Sequence, residues 1–282
     1  MAIKTSKIPI ILAAIFFACG CSPSKETIRE QSKLPHKISI SRALANDRVK
    51  IDKNQVWFDD KELGSLDLDE KKKYSELPET LPNGIHSYSV TELDNGLLLL
   101  TGGYKPETKN KLPESTDKTF LWDRSKKKLE DGPKMSCARV MHKTTKLRNG
   151  KFLITGGMTL KPENTYAKEV DVFDPKTKSI TPSGSLQVDR ILHSVLQTDE
   201  NKILIAGGQT YSNSENEIET NSIELYSLEN GTSSTLGALT YPRQGGTLFR
   251  LNDKSALMVG GYNSSSEPNS RSLPSELIKL PE

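Results

Sequence analysis

Three short segments carry the side chains best suited to chemistry. Arg139-Val140-Met141-His142 and Arg190-Ile191-Leu192-His193 each set a guanidinium three residues ahead of an imidazole; Arg243-Gln244-Gly245-Gly246 keeps the arginine alone. Two imidazoles could share a metal ion or pass protons, but a metal site wants three or four convergent ligands and the sequence secures two. Tyr88 takes the histidine's place in an earlier copy, with His86 two residues off that register. Three arginines could instead grip a carboxylate. The repetition argues for something plainer, because side chains that recur at one register of a repeat are what a packing role requires. Arg139, His142, Arg190, His193 and Arg243 are therefore expected to be structural, with no catalytic residue, metal or other cofactor. Cys137 has no His or Lys in a motif around it and is expected to be a buried, inert thiol. The sequence contains no phosphate loop, nucleophile elbow or HExxH zinc motif.

These segments recur because the chain repeats. Leu147-Arg148-Asn149-Gly150-Lys151-Phe152-Leu153-Ile154-Thr155-Gly156-Gly157 has counterparts ending at Gly102-Gly103, Gly207-Gly208 and Gly260-Gly261. The leading glycines lie 54, 51 and 53 residues apart, a period that marks a propeller or a solenoid. Asn95-Gly96 and Asn149-Gly150 predict hairpin turns of type I′, which need positive φ at both central residues. The strand that follows is a continuous apolar run, as in Phe152-Leu153-Ile154 and Ile203-Leu204-Ile205, so it should be buried on both faces. The glycine pairs then allow a sharp, close-packed turn.

An apolar run, a double glycine, a variable loop and a later aromatic resemble the kelch repeat. The aromatics are Trp122, Phe173 and Tyr226, each closing a strand, and Asp123-Arg124-Ser125 and Asp174-Pro175-Lys176 supply turns of kelch type. The usual second aromatic is absent; Leu129 and Ile180 sit near its place. The resemblance covers roughly residues 86–280. It implies an all-β, kelch-type β-propeller with four recognisable blades and a degenerate N-terminal fifth. Residues 55–63 read as strand, turn, strand in that degenerate blade. The fourth repeat lacks an outer strand, and Ile38–Ser41 is its natural donor. The resemblance also implies two enzymatic alternatives, a copper-dependent sugar oxidase using Tyr and His ligands, and a sialate-processing protein using arginines.

The first 20 residues read as a signal peptide. Lys4 and Lys7 precede an apolar stretch from Ile8 to Ala18 that is too short to span a bilayer. Ala18-Cys19-Gly20-Cys21 resembles a bacterial lipobox, with Cys21 as the lipid acceptor. Residues 21–37 form a polar tether and 38–282 the propeller. Export by this route places the protein in the bacterial cell envelope, anchored by lipid to the outer membrane. Cleavage before Cys21 leaves 37 basic and 36 acidic residues, a balance that argues against a nucleic-acid partner. With Cys21 acylated, Cys137 has no disulfide partner, so stability must come from packing.

Function falls by default to the loops after the glycine pairs, 104–118, 158–168, 209–221 and 262–275. They vary in length while the strands around them repeat, and Tyr104, Tyr166, Tyr211 and Tyr262 place an aromatic on each. The expected activity is binding of a protein or glycan partner, with membrane contact through the lipid anchor only.

Overall fold

The computed structural model describes residues 41–43, 48–52, 55–65, 77, 80–108, 112–160, 165–212, 216–264 and 273–281. The expected signal peptide, Cys21, the tether and Ile38–Ile40 lie outside the described residues. Every regular element among the described residues is a strand.

Among the described residues β1 (Ser41–Ala43) comes first, followed by β2 (Val49–Asp52), β3 (Gln55–Phe58) and β4 (Lys61–Ser65). The first repeat holds β5 (Ser89–Glu92), β6 (Leu97–Thr101), β7 (Tyr104–Lys105), β8 (Glu114–Ser115), β9 (Thr119–Asp123) and β10 (Lys128–Asp131). The second holds β11 (Lys143–Lys146), β12 (Phe152–Thr155), β13 (Met158–Thr159), β14 (Thr165–Tyr166), β15 (Glu169–Asp174) and β16 (Ser179–Ser185). In the third are β17 (Ser194–Gln197), β18 (Lys202–Ala206), β19 (Gln209–Ser212), β20 (Asn216–Glu219), β21 (Ser222–Ser227) and β22 (Thr232–Ala238). The last has β23 (Thr247–Asn252), β24 (Ser255–Val259) and β25 (Glu276–Lys279).

Each repeat folds into one four-stranded antiparallel sheet: β5-β6-β9-β10, β11-β12-β15-β16, β17-β18-β21-β22 and β23-β24-β25-β1. The fourth sheet takes its outer strand from the other end of the chain, with Ser41 opposite Ile278 and Ala43 opposite Glu276. Of the expected donor Ile38–Ser41, Ser41 is among the described residues and lies in this strand, which runs on to Ala43. It covers an edge that would otherwise expose unpaired backbone groups. The N-terminal strand-turn-strand is present as β3 and β4, joined through Asp59 and Asp60 at φ 48° and 64°. An unexpected third strand, β2, completes this meander.

The apolar runs serve two interfaces at once. Phe152 and Ile154 pack with Leu99 and Leu121 of the first sheet, whereas Leu153 packs with Ile203 and Ile205 of the third. Leu204 and Ile223 meet Leu248 and Met258 of the fourth in the same way. Leu257 and Val259 meet Val56 of the meander. A strand buried on both faces has no room for the polar alternation of a half-exposed one.

The Asn-Gly turns differ from expectation. Gly96 and Gly150 have positive φ, 78° and 81°, but Asn95 and Asn149 do not. Gly96 N–H donates to Leu93 O, and Gly150 N–H to Leu147 O, both at 3.0 Å. The turn centres are thus Asp94-Asn95 and Arg148-Asn149, with the glycine as a left-handed bulge after a type I turn. One extra loop residue moves the glycine out of the turn centre.

Candidate binding face

The three arginines lie fully buried where the chain enters β11, β17 and β23. Arg139 donates from Nη1 to Gly156 O at 3.0 Å and to Glu169 O at 2.8 Å, and from Nη2 to Asp171 at 3.0 Å. Arg190 repeats this with Gly207 O, Ser222 Oγ and Glu224, and Arg243 with Gly260 O, Pro274 O and Glu276. Each carboxylate also accepts backbone N–H groups of the segment leading into its sheet. Glu224 takes Gln187 and Val188, and Glu276 takes Thr240 and Tyr241. The guanidiniums do hold carboxylates, but the protein's own. Burial alone pushes the pKa of Arg190 and Arg243 down, and the facing glutamates push it back up.

Sequence reading missed these acids. The available signal was their spacing, 32, 34 and 33 residues after the arginines. The first repeat breaks the pattern by substituting both partners. Ile85 stands in the arginine's place, and Phe120, opposite Leu100, in the acid's. Both are buried in one apolar cluster.

The histidines reach across sheet boundaries. His142 Nε2 shares a 2.7 Å hydrogen bond with Thr101 Oγ1 of the first sheet, and His193 Nε2 a 2.8 Å bond with Thr155 Oγ1 of the second. Their partners are threonine hydroxyls. Burial, then the charge of Arg139, holds His142 neutral down to about 3, and burial, then Arg190, pushes the pKa of His193 well below its usual range. Thr101 and Thr155 each precede the first glycine of a pair. In the third repeat that residue is Ala206, and the matching histidine is Gly246. The joint replacement is the sequence signal that would have exposed the pairing.

The same boundary explains the glycine pairs. Gly102, Gly156 and Gly207 have φ of 61°, 61° and 67°, and a Cβ on any of them would collide with the carbonyl of Arg139, Arg190 or Arg243. Gly103, Gly157 and Gly208 donate their N–H to those same carbonyls, at 3.2, 2.9 and 2.7 Å. Gly260 and Gly261 carry the same backbone shape, at 68° and 91°, but a Cβ on Gly260 meets nothing within 4 Å.

The loops beyond the pairs hold small hairpins, β7–β8, β13–β14 and β19–β20, rather than irregular coil. The middle of the fourth loop lies outside the described residues. The hairpins interlock. Leu160 N–H donates to Ser115 Oγ at 3.1 Å, and the rings of Tyr166 and Tyr211 lie 4.4 Å apart. Both hydroxyls donate to Glu217 Oε1, at 3.1 and 3.4 Å, and Ser264 Oγ donates to Glu219 at 2.9 Å. Tyr166 is buried in this contact, Tyr104 and Tyr211 are half-buried, and Tyr262 is 44% exposed. Burial, then Glu217, raises the Tyr166 hydroxyl far above its usual range and Tyr211 to about 12. The four predicted tyrosines thus share a side of the molecule, but Tyr166 serves the packing beneath the surface.

No protein-family model and no curated relative matches the chain. Among solved structures, that of YjhT matches over 80% of this chain and 73% of its own, with a TM-score of 0.50 and 14% identity. YjhT is a kelch-type β-propeller. So is this fold.

In propeller terms, the hairpins and the arginine segments share one face and the turns at 147–151, 198–202 and 250–254 the other. The apolar surface is unevenly divided between them. Of the five large apolar side chains exposed among the described residues, Leu112, Leu192, Tyr241 and Tyr262 belong to hairpin-face segments and Ile51 to the meander. The turn face carries a cleft of about 610 Å³ between the third and fourth blades, lined by Asp199, Lys202, Arg250, Asp253 and Lys254 with Leu280 and Pro281 at its edge. Cys137 is half-buried rather than sealed; burial first, with Glu169 and Asp171 adding, raises its thiol to about 11.

Proposed function

We propose that this chain is a binding module of the bacterial cell envelope, anchored by lipid on Cys21, whose propeller takes a protein or glycan partner on its hairpin face. The observation that carries the reading is the concentration of exposed Leu112, Leu192, Tyr241 and Tyr262 on that face. Tyrosine and leucine exposed together on a rigid scaffold are suited to partner binding, tyrosine above all. A sugar-active enzyme that used the repeated arginines and histidines would need them free at a cleft, and every one is bonded inside the fold.

The test is a glycan array and an envelope-protein crosslinking screen with the body Ser22–Glu282, repeated with Leu192→Asn and Tyr262→Ala. A hit that loses at least about tenfold in affinity, or roughly 1.4 kcal/mol, in either variant supports the face; hits unaffected by both count against it. Anchoring is tested separately. The full-length protein should enter the detergent phase and Cys21→Ala should stay in water, since each buried lipid CH₂ contributes about 0.8 kcal/mol. Protein recovered unlipidated, with its N-terminus beyond Cys21, would refute the anchor.

A further inference from the structure

Four Asn-Gly pairs lie on the surface of this chain: Asn83-Gly84, Asn95-Gly96, Asn149-Gly150 and Asn230-Gly231, each with its asparagine exposed. We propose that one of them, Asn83-Gly84, is a site of spontaneous backbone modification, at which the chain converts itself to aspartate and isoaspartate. In this chemistry the amide nitrogen of the glycine attacks the asparagine Cγ. The new C–N bond closes a five-membered succinimide, and the side-chain nitrogen leaves as ammonia with the proton lost from the attacking amide. Water then opens the ring at either carbonyl, giving aspartate or the β-linked isomer. The reaction needs only water, a glycine that offers no steric barrier, and freedom for the two groups to meet.

Exposure does not separate the four sites; hydrogen bonding does. At three of them both reacting groups are tied. Asn95, Asn149 and Asn230 hold Oδ1 on the backbone N–H of Leu97, Lys151 and Thr232, at 3.2, 3.0 and 3.2 Å. The attacking nitrogens of Gly96, Gly150 and Gly231 donate to Leu93 O, Leu147 O and Ser227 O, each at 3.0 Å. At the fourth pair neither the Asn83 side chain nor the Gly84 N–H has a hydrogen-bond partner among the described residues. The two residues have φ of 66° and 73°, and a side chain on Gly84 would meet nothing within 4 Å.

The position gives the modification a consequence. Asn83-Gly84 is the tip of a tight loop closed by Leu81 N–H to Ile85 O at 2.8 Å and Ile85 N–H to Leu81 O at 3.3 Å. Ile85 is fully buried, with its Cγ2 against Gly103. An isoaspartate adds a backbone methylene and a charge to this loop, loosening the seat of Ile85 in the blade that lacks the arginine–carboxylate pair.

The experiment ages the purified full-length protein in mildly alkaline H₂¹⁸O at physiological temperature and follows all four sites by peptide mapping with isoaspartate detection. Asn83 should convert fastest, by roughly tenfold over the other three, the factor to which about 1.4 kcal/mol of restraint corresponds. The Gly84→Ala variant should slow Asn83 alone, and aged wild type should melt lower than aged Asn83→Gln. Conversion of Asn95, Asn149 or Asn230 at an equal or greater rate would overturn the assignment, as would an Asn83 that stays intact while any of them reacts.

Discussion

Gly156 and Gly260 hold the same place in their repeats but have different neighbours. Gly156→Ala must carry both a positive φ and a clash with the Arg190 carbonyl, whereas Gly260→Ala carries the backbone cost alone. The second substitution should therefore cost about 1–2 kcal/mol, and the first clearly more, both read from urea unfolding. Equal losses would show that the contact between blades is not what demands the glycine. The histidines give a second residue-scale prediction. In the unfolded chain an imidazole binds a proton near pH 6.5. Folded His142 does not until about 3. The unfolded state thus takes up more protons in this window, and stability is lost as pH falls from about 6.5 toward 3, by at most about 1.4 kcal/mol per pH unit for this histidine. His142→Gln should flatten the slope of unfolding free energy against pH; an unchanged slope would mean that the imidazole is not held neutral.

At the scale of the element, the arginine–carboxylate pairs join each entering segment to its own sheet. Removing one partner strands a buried charge, so Arg190→Ile should cost about 3–5 kcal/mol. The first blade shows the alternative, with Ile85 and Phe120 in the two places. Copying it as Arg190→Ile with Glu224→Phe removes the stranded charge and should recover part of the loss. Recovery will be incomplete, because the Gln187 and Val188 amides lose their acceptor. A double variant no better than the sum of the singles would contradict the pairing. The strands themselves were legible because their apolar runs and glycine pairs repeat in the sequence. The acids were not, since Asp171, Glu224 and Glu276 are two residue types at three slightly different spacings. Nor was the burial of Tyr166, because its partner Tyr211 sits on a neighbouring hairpin about 45 residues away.

For the whole molecule, the division is between a face built of interlocked hairpins bearing exposed tyrosine and leucine and a face of short charged turns. The repeat pattern made the propeller readable in advance. It could not reveal that the hairpins interlock, because contacts such as Leu160 with Ser115 join loops whose sequences do not repeat. The most direct test combines Leu192→Asn, Tyr241→Ala and Tyr262→Ala in the body Ser22–Glu282, leaving the contacts of Tyr166 with Tyr211 and Glu217 intact. Retention of the array and crosslinking hits is then measured alongside the far-ultraviolet spectrum and melting temperature. The account predicts a strand-dominated spectrum close to that of the unaltered body, with retention reduced at least about tenfold. Undiminished retention, here and with Leu112→Ala added, would contradict it.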